Sequence, residues 1–153
     1  MKKITQQEFD ALPVVEGWKK CSGSTDYSAI NHFPDGCSFG EGCSFGEWCS
    51  FGEGCSFGAG CRFEGHKART SNPYIAIDRA GSVRRKTYFF DFEDGIYVRS
   101  GCFFGSLSEF RAKVLEDEGG DTSTVKAMQY LCMANIAAVT FWRRDLIDWG
   151  TCK

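Results

Sequence analysis

From Phe33 the chain can be written in sixes without an insertion: FPDGCS, FGEGCS, FGEWCS, FGEGCS, FGAGCR and then FEGHKA. Such strict phase marks an internal repeat, in which each unit buries its apolar face only by stacking on its neighbours. Phe takes the first position (33, 39, 45, 51, 57 and 63) and Cys the fifth (37, 43, 49, 55 and 61), with Gly usual at the second and fourth. Cys and the next Phe are two residues apart, so on a strand both point to one face and the residue between them points away. Phe and Cys therefore line an interior. Gly36, Gly42, Gly54 and Gly60 supply the positive φ that sharp corners between short strands demand. Trp48 replaces Gly once, and that corner is expected to look different.

This consensus resembles the left-handed β-helix of hexapeptide-repeat proteins, with Phe standing for the family's aliphatic residue and Cys for its small one. In that family three units make one triangular coil. The resemblance implies that Phe33 stacks on Phe51, Phe39 on Phe57 and Phe45 on Phe63, about 4.8 Å apart. Burying one such Phe contributes about 2 to 3 kcal/mol, which makes the ladder the scaffold of the protein.

The six-residue phase breaks over 64–85 and returns at FEDGIY from Phe92, VRSGCF from Val98 and FGSLSE from Phe104. Ser106 with Glu109 forms a capping box that opens a helix, and Gly119-Gly120 stops it. Asp121, Thr122 or Ser123 is expected to cap a second, longer helix in which Met128, Leu131, Cys132, Ile136 and Val139 recur at helical spacing. That apolar face is suited to covering the open prism end or to meeting a second subunit.

The expected fold is thus β+α, a single domain over residues 1–153. A short left-handed parallel β-helix, a Phe/Cys-lined triangular prism of about three to four coils, is assigned to 21–66. An insertion loop and strand follow over 67–91, turning at Ala80-Gly81, then a further coil over 92–106 and two C-terminal helices over 107–149. The stretch from Phe92 onward also resembles small uncharacterised bacteriophage and prophage proteins, through its IYVRSGCFFG and SLSEF segments and the two helices after them. That resemblance implies a phage context and no particular chemistry.

With 18 basic and 20 acidic side chains the formal net charge is −2, so a general electrostatic footprint for nucleic acid is missing and direct nucleic-acid binding is not expected. The first twenty residues lack the apolar run of a secretory signal, and nowhere do about 18 apolar residues stand together, so the expectation is a cytoplasmic protein with no membrane partner. Nine cysteines is an odd count, and a reducing compartment disfavours disulfides. Thiolates bind zinc and iron–sulfur clusters, but successive repeat cysteines fall on different prism sides with Phe between them. They read as small core residues, and neither a metal nor another cofactor is expected.

Several residues carry sharper readings. Many left-handed β-helix proteins are acyltransferases with a histidine base and a coenzyme A groove, which here would use His66, beside Lys67 and Arg69; the plainer reading is a solvated loop histidine. His32 is placed on the surface. Asp35, Glu41, Glu47 and Glu53 decorate corners, with Asp35 and Glu53 stacked on one edge; they form either a solvated rim or a binding ridge that includes Trp48. Arg84 and Arg85, with Arg79 and Lys86, flank a strand holding Tyr88, Phe89 and Phe90 and could grip a phosphate or nucleotide. Phe141, Trp142 and Trp149 are candidate anchors in an oligomer or partner interface.

The function expected from this pattern is a noncatalytic phage-type binding protein, a homodimer or trimer, that inhibits a host protein or nucleoprotein complex such as an antiviral defence system, in the manner of an anti-CRISPR protein. The alternatives are an acyl-coenzyme A acyltransferase and a nucleotide-sequestering sponge.

Overall fold

A computed structural model describes residues 1–77 and 86–150. Two compact units are formed, Met1–Pro73 with Phe92–Asp94, and Tyr74–Asp91 with Gly95–Lys153. The first contains β1 (Lys2–Lys3), α1 (Gln6–Asp10), β2 (Val14–Val15), β3 (Trp18–Cys21), β4 (Thr25–Asp26), β5 (His32–Phe33), β6 (Cys37–Phe39), β7 (Ser44–Phe45), β8 (Ser50–Phe51), β9 (Ser56–Phe57), β10 (Arg62–Phe63) and β11 (His66–Lys67). The second holds β12 (Tyr74–Ile77), β13 (Thr87–Phe92, its last residue in the first unit), β14 (Gly95–Ser100), β15 (Phe103–Ser106), α2 (Leu107–Asp117) and α3 (Val125–Thr140).

In the first unit the repeat strands pair in parallel with residues eighteen positions away, Cys21 with Phe39 and Phe39 with Phe57. The same offset joins Asp26 to Ser44 and Ser44 to Arg62, and Phe33 to Phe51. Three hexads therefore complete one turn. The aromatic columns follow: Phe33 stacks on Phe51 at 5.0 Å, Phe39 on Phe57 at 5.2 Å and Phe45 on Phe63 at 4.9 Å, with planes within 18° of parallel. Tyr27 extends the last column, 5.7 Å from Phe45.

The two glycines of each hexad answer different demands. At the fourth position Gly36, Gly42, Gly54 and Gly60 have φ between 69° and 74°, the left-handed corner. At the second position the demand is space, because a Cβ on Gly58 would lie 2.5 Å from the Glu41 nitrogen and one on Gly40 2.7 Å from the Gly23 nitrogen. Trp48 does not change its corner as expected, since its φ of 59° reproduces the glycine backbone. Backbone hydrogen bonds on either side of the corner, Ser50 N–H to the Asn31 carbonyl and Glu64 N–H to the Phe45 carbonyl, hold it to the neighbouring turns, and the side chain is half exposed.

Both ends of the stack close with antiparallel hairpins. Glu16-Gly17 joins β2 to β3 and Glu64-Gly65 joins β10 to β11, all four residues at positive φ, the signature of a two-residue hairpin turn. The short α1, opened by a Thr5–Glu8 capping box, sets Phe9 edge-on against Tyr27 and Phe33. Phe92 stacks on Phe63 at the other end.

Residues 92–106 do not form a further coil. β14 and β15 are an antiparallel hairpin, Ser100 opposite Phe103, and belong to a four-stranded sheet ordered β12-β13-β14-β15. The hexad phase recurs there because Gly95 opens the six-residue strand β14 and Gly101 follows its end, which spaces the two glycines six apart with no corner between them. The expected turn at Ala80-Gly81 lies outside the described residues.

α2 has the expected capping box, Ser106 Oγ accepting from the Glu109 N–H at 3.2 Å and Glu109 Oε1 accepting from the Ser106 N–H at 3.0 Å. α3 is capped by Thr124 and by none of the three preceding candidates; the Asp121 carboxylate instead accepts the Ser123 N–H. It ends at Thr140 rather than near Trp149, because Trp142 takes a φ of 60° and a single 3-10 turn follows at Arg144–Leu146. The helix buries Ala127, Tyr130, Leu131, Ala134, Ala137 and Ala138, in one core with Phe89, Val98, Phe110 and Phe141. Of the expected stripe only Leu131 is buried; Met128, Ile136 and Val139 are exposed. Small alanines let the helix approach its neighbours closely, and a helix apolar on both sides gives periodicity no way to choose between them. Among the described residues, no helix is long and apolar enough to cross a membrane.

Candidate functional site

Trp48 is the outlying feature of the first unit. It is a large side chain, 49 % exposed, at a corner where the equivalent residues are glycine. Left-handed backbone costs a residue with a Cβ about 1 kcal/mol or more. The Trp48 N–H donates to Glu64 Oε1 at 3.3 Å, so a carboxylate lies against the backbone of the corner. Glu47, also exposed, precedes it. Together they give an aromatic knob on a rigid corner with acid close by.

The other acidic corners are exposed but do not act alike. Asp35 and Glu53 share an edge as expected, and the Asp35 carboxylate accepts the Glu53 N–H at 2.7 Å. Asp35 is thus a bond between turns as well as a charge. Glu41 stands on a different edge, against Gly58 of the following turn. The acidic corners are divided among edges, Asp35 with Glu53 on one and Glu41 on another.

His66 is not a solvated loop residue. It lies in β11, half-buried, its ring stacked on Phe92 at 5.0 Å and its Nδ1 2.9 Å from Asp94 Oδ2. Asp94 was not legible as its partner, because twenty-eight residues separate them and the antiparallel bridge of Ala68 to Phe92 is what brings the two segments together. His32 is exposed, bonded through Nδ1 to Ser50 Oγ at 2.8 Å, one turn away.

Four of the five repeat cysteines are buried and Cys55 is partly so. Their thiols donate back to the corner carbonyl three residues earlier, Cys37 to Pro34, Cys43 to Gly40 and Cys61 to Gly58, at 3.2 to 3.3 Å. A hydrogen bond with Cys21 pushes the Cys37 thiol up to about 12. A bond with Cys61, then burial, pushes Cys43 up, and a bond with Cys37, then burial, pushes Cys55 up. The same bonds lower their partners, Cys61 through Cys43 and Cys21 through Cys37; the raised thiols of Cys37, Cys43 and Cys55 stay protonated at neutral pH, whereas the thiolate is what binds metals and attacks electrophiles. Cysteine suits the position because it is small, apolar and able to satisfy the corner carbonyl.

In the second unit, Arg79, Arg84 and Arg85 lie outside the described residues. Tyr88, Phe89 and Phe90, on the strand those arginines were expected to flank, are buried. The guanidinium of buried Arg99 instead lies 4.5 Å from the Tyr88 ring centre. Of the proposed anchors, Phe141 is buried in the core, while Trp142 is 91 % and Trp149 65 % exposed. Asn135, a buried amide in α3, holds the chain beside Trp149 in place. Its Oδ1 accepts the Asp148 N–H at 2.8 Å and an Arg111 N–H at 2.8 Å, and its Nδ2 donates to the Asp148 carbonyl at 2.9 Å.

Comparison of the chain with family models, curated proteins and solved structures finds no match.

Proposed function

We propose that the chain is a noncatalytic binding protein whose repeat unit, a left-handed β-helix, is a rigid mount for the Trp48 corner, and that its partner is a host macromolecular complex. The observation that carries this reading is Trp48 itself, a strained and exposed tryptophan where glycine would serve the fold at lower cost. Exposed tryptophans at the centre of a contact supply large binding energies, and a preorganised corner loses little entropy on docking. The resemblance of the C-terminal segment to small phage proteins favours a cytoplasmic host target, an RNA-guided or other antiviral defence complex. Phage plating on cells with such a defence system, with and without this protein, is the direct test. The wild-type chain should restore plaques, and Trp48→Gly should abolish the effect while remaining folded. Equal protection by both forms, or none across a panel of defence systems, removes the reading.

A second reading rests on the His66–Asp94 pair, an imidazole oriented by a carboxylate as a general base requires. Turnover of acyl-coenzyme A that disappears in His66→Ala but survives Trp48→Gly would establish an acyltransferase in place of the binding protein.

A further inference from the structure

α3 carries a single charged side chain, Lys126, in sixteen residues. Opposite its alanine-rich buried face, Val125, Met128, Cys132, Ile136 and Val139 fall within an arc of about 80° on the helix surface. Val125 is 73 % exposed, Met128 49 %, Ile136 53 % and Val139 60 %. Along the C-terminal half of this stripe, the tail held by Asn135 raises Ile147 and Trp149 as a wall. The resulting apolar groove, lined also by Cys132, Ile136 and Val139, has a volume of about 440 Å³. Val125 and Met128 lie outside that lining.

The stripe reads the same in both directions. Val125 and Val139 stand seven residues either side of Cys132, and Met128 and Ile136 stand four either side. A twofold axis through Cys132, perpendicular to the helix, therefore lays the stripe antiparallel on itself. Val125 then meets Val139 of the second copy, Met128 meets Ile136, and the projecting N-terminal half of each helix enters the other's groove. We propose that α3 is a homodimerisation helix that pairs antiparallel about Cys132.

Four features favour a second copy of this chain as the occupant. An interface between identical chains must be self-complementary, and the spacing about Cys132 is symmetric. The floor of the groove and the side chains that fit it are on the same helix. Val125, Met128, Ile136, Val139 and Trp149 together expose on the order of 600 Å², close to the roughly 800 Å² per partner of a standard stable interface. No charge lies in the stripe, so bringing it against itself sets no like charges together. The proposal is independent of the role given to Trp48.

The test uses the full chain in sedimentation equilibrium, with far-UV circular dichroism as the folding control. Wild type should be dimeric. Met128→Lys and Ile136→Glu, both on the outer face, should keep the fold and each weaken the dimer about a hundredfold or more, since a charge would face an apolar side chain. In the Met128→Lys/Ile136→Glu double variant each new lysine faces a new glutamate across the axis, and dimerisation should recover at least about tenfold over either single variant. A parallel pair would set lysine against lysine and show no recovery. A wild-type chain that is monomeric at about 100 μM leaves the face to some other partner and overturns the proposal. So does a dimer that both single variants leave intact, or a double variant with no recovery.

Discussion

A core Phe of the repeat unit meets a copy of itself from one turn away, whereas in the second unit Phe89, Val98, Phe110 and Tyr130 each occupy a different setting. The repeat unit obtains its core by translation, so one satisfied hexad satisfies the next, and its demands are local: a flat ring, a small thiol, a left-handed corner, and no Cβ where turns cross. The sheet-and-helix unit obtains its core by long-range complementarity, in which two helices and four strands must agree on one packing. The first arrangement tolerates little variation at a given hexad position; the second tolerates variation but is not announced by any motif.

Substitution can break or sharpen this contrast. The largest effect is expected for Phe45→Ala, which opens the column between Tyr27 and Phe63; a loss of about 3 to 5 kcal/mol should appear in chemical denaturation. A cost no larger than that of a surface change would show that the column is not what holds the coil. Next come the two kinds of glycine. Gly58→Ala, which drives a Cβ into the backbone of the preceding turn, should cost about 2 to 3 kcal/mol, and Gly54→Ala, strained but in open space, about 1 kcal/mol. Equal shifts of the thermal midpoint would merge the two roles.

In the second unit, Asn135→Ala leaves the Asp148 backbone and Arg111 without their shared partner and should cost about 2 kcal/mol. Hydrogen exchange should quicken around residues 146–149 and stay unchanged in the repeat, and acceleration that spreads into the repeat would show the units to be energetically one. The smallest effect is acidification. The Glu109 carboxyl is held below the ordinary glutamate range by the Ser106 N–H and hydroxyl, and Glu8 is held below it by Lys2 and Thr5. Carboxyls depressed in the folded state contribute stability above their unfolded pKa and lose it as pH falls through the folded one. Helical signal should therefore weaken from the ordinary glutamate range downward, and Glu109→Gln should flatten that part of an acid titration.

Legibility followed the same division. The interior cysteines and the Ser106–Glu109 box depend on spacing written in the chain, and the ring columns and the shared edge of Asp35 and Glu53 followed from the resemblance to three-unit coils. The hairpin at 92–106 was not legible, because glycine at six-residue intervals suits a coil corner and a hairpin end alike. Nor was α1, although Thr5 with Glu8 is a capping box and Glu16-Gly17 a hairpin turn, signals weak beside a five-unit repeat.

For the candidate site, the repeat pattern pointed to Trp48 and the phase break to His66, but not to what surrounds them. The sequence by itself determined the six-residue phase, the residues that face the core and the start of α2, since each rests on neighbours related by a constant offset. Only the tertiary structure decided that Asp94 orients His66, that Asn135 ties down the tail, and that α3 buries its alanines and leaves its larger apolar stripe outside. Those outcomes depend on which surfaces are left for the last elements to cover, and no local periodicity carries that information.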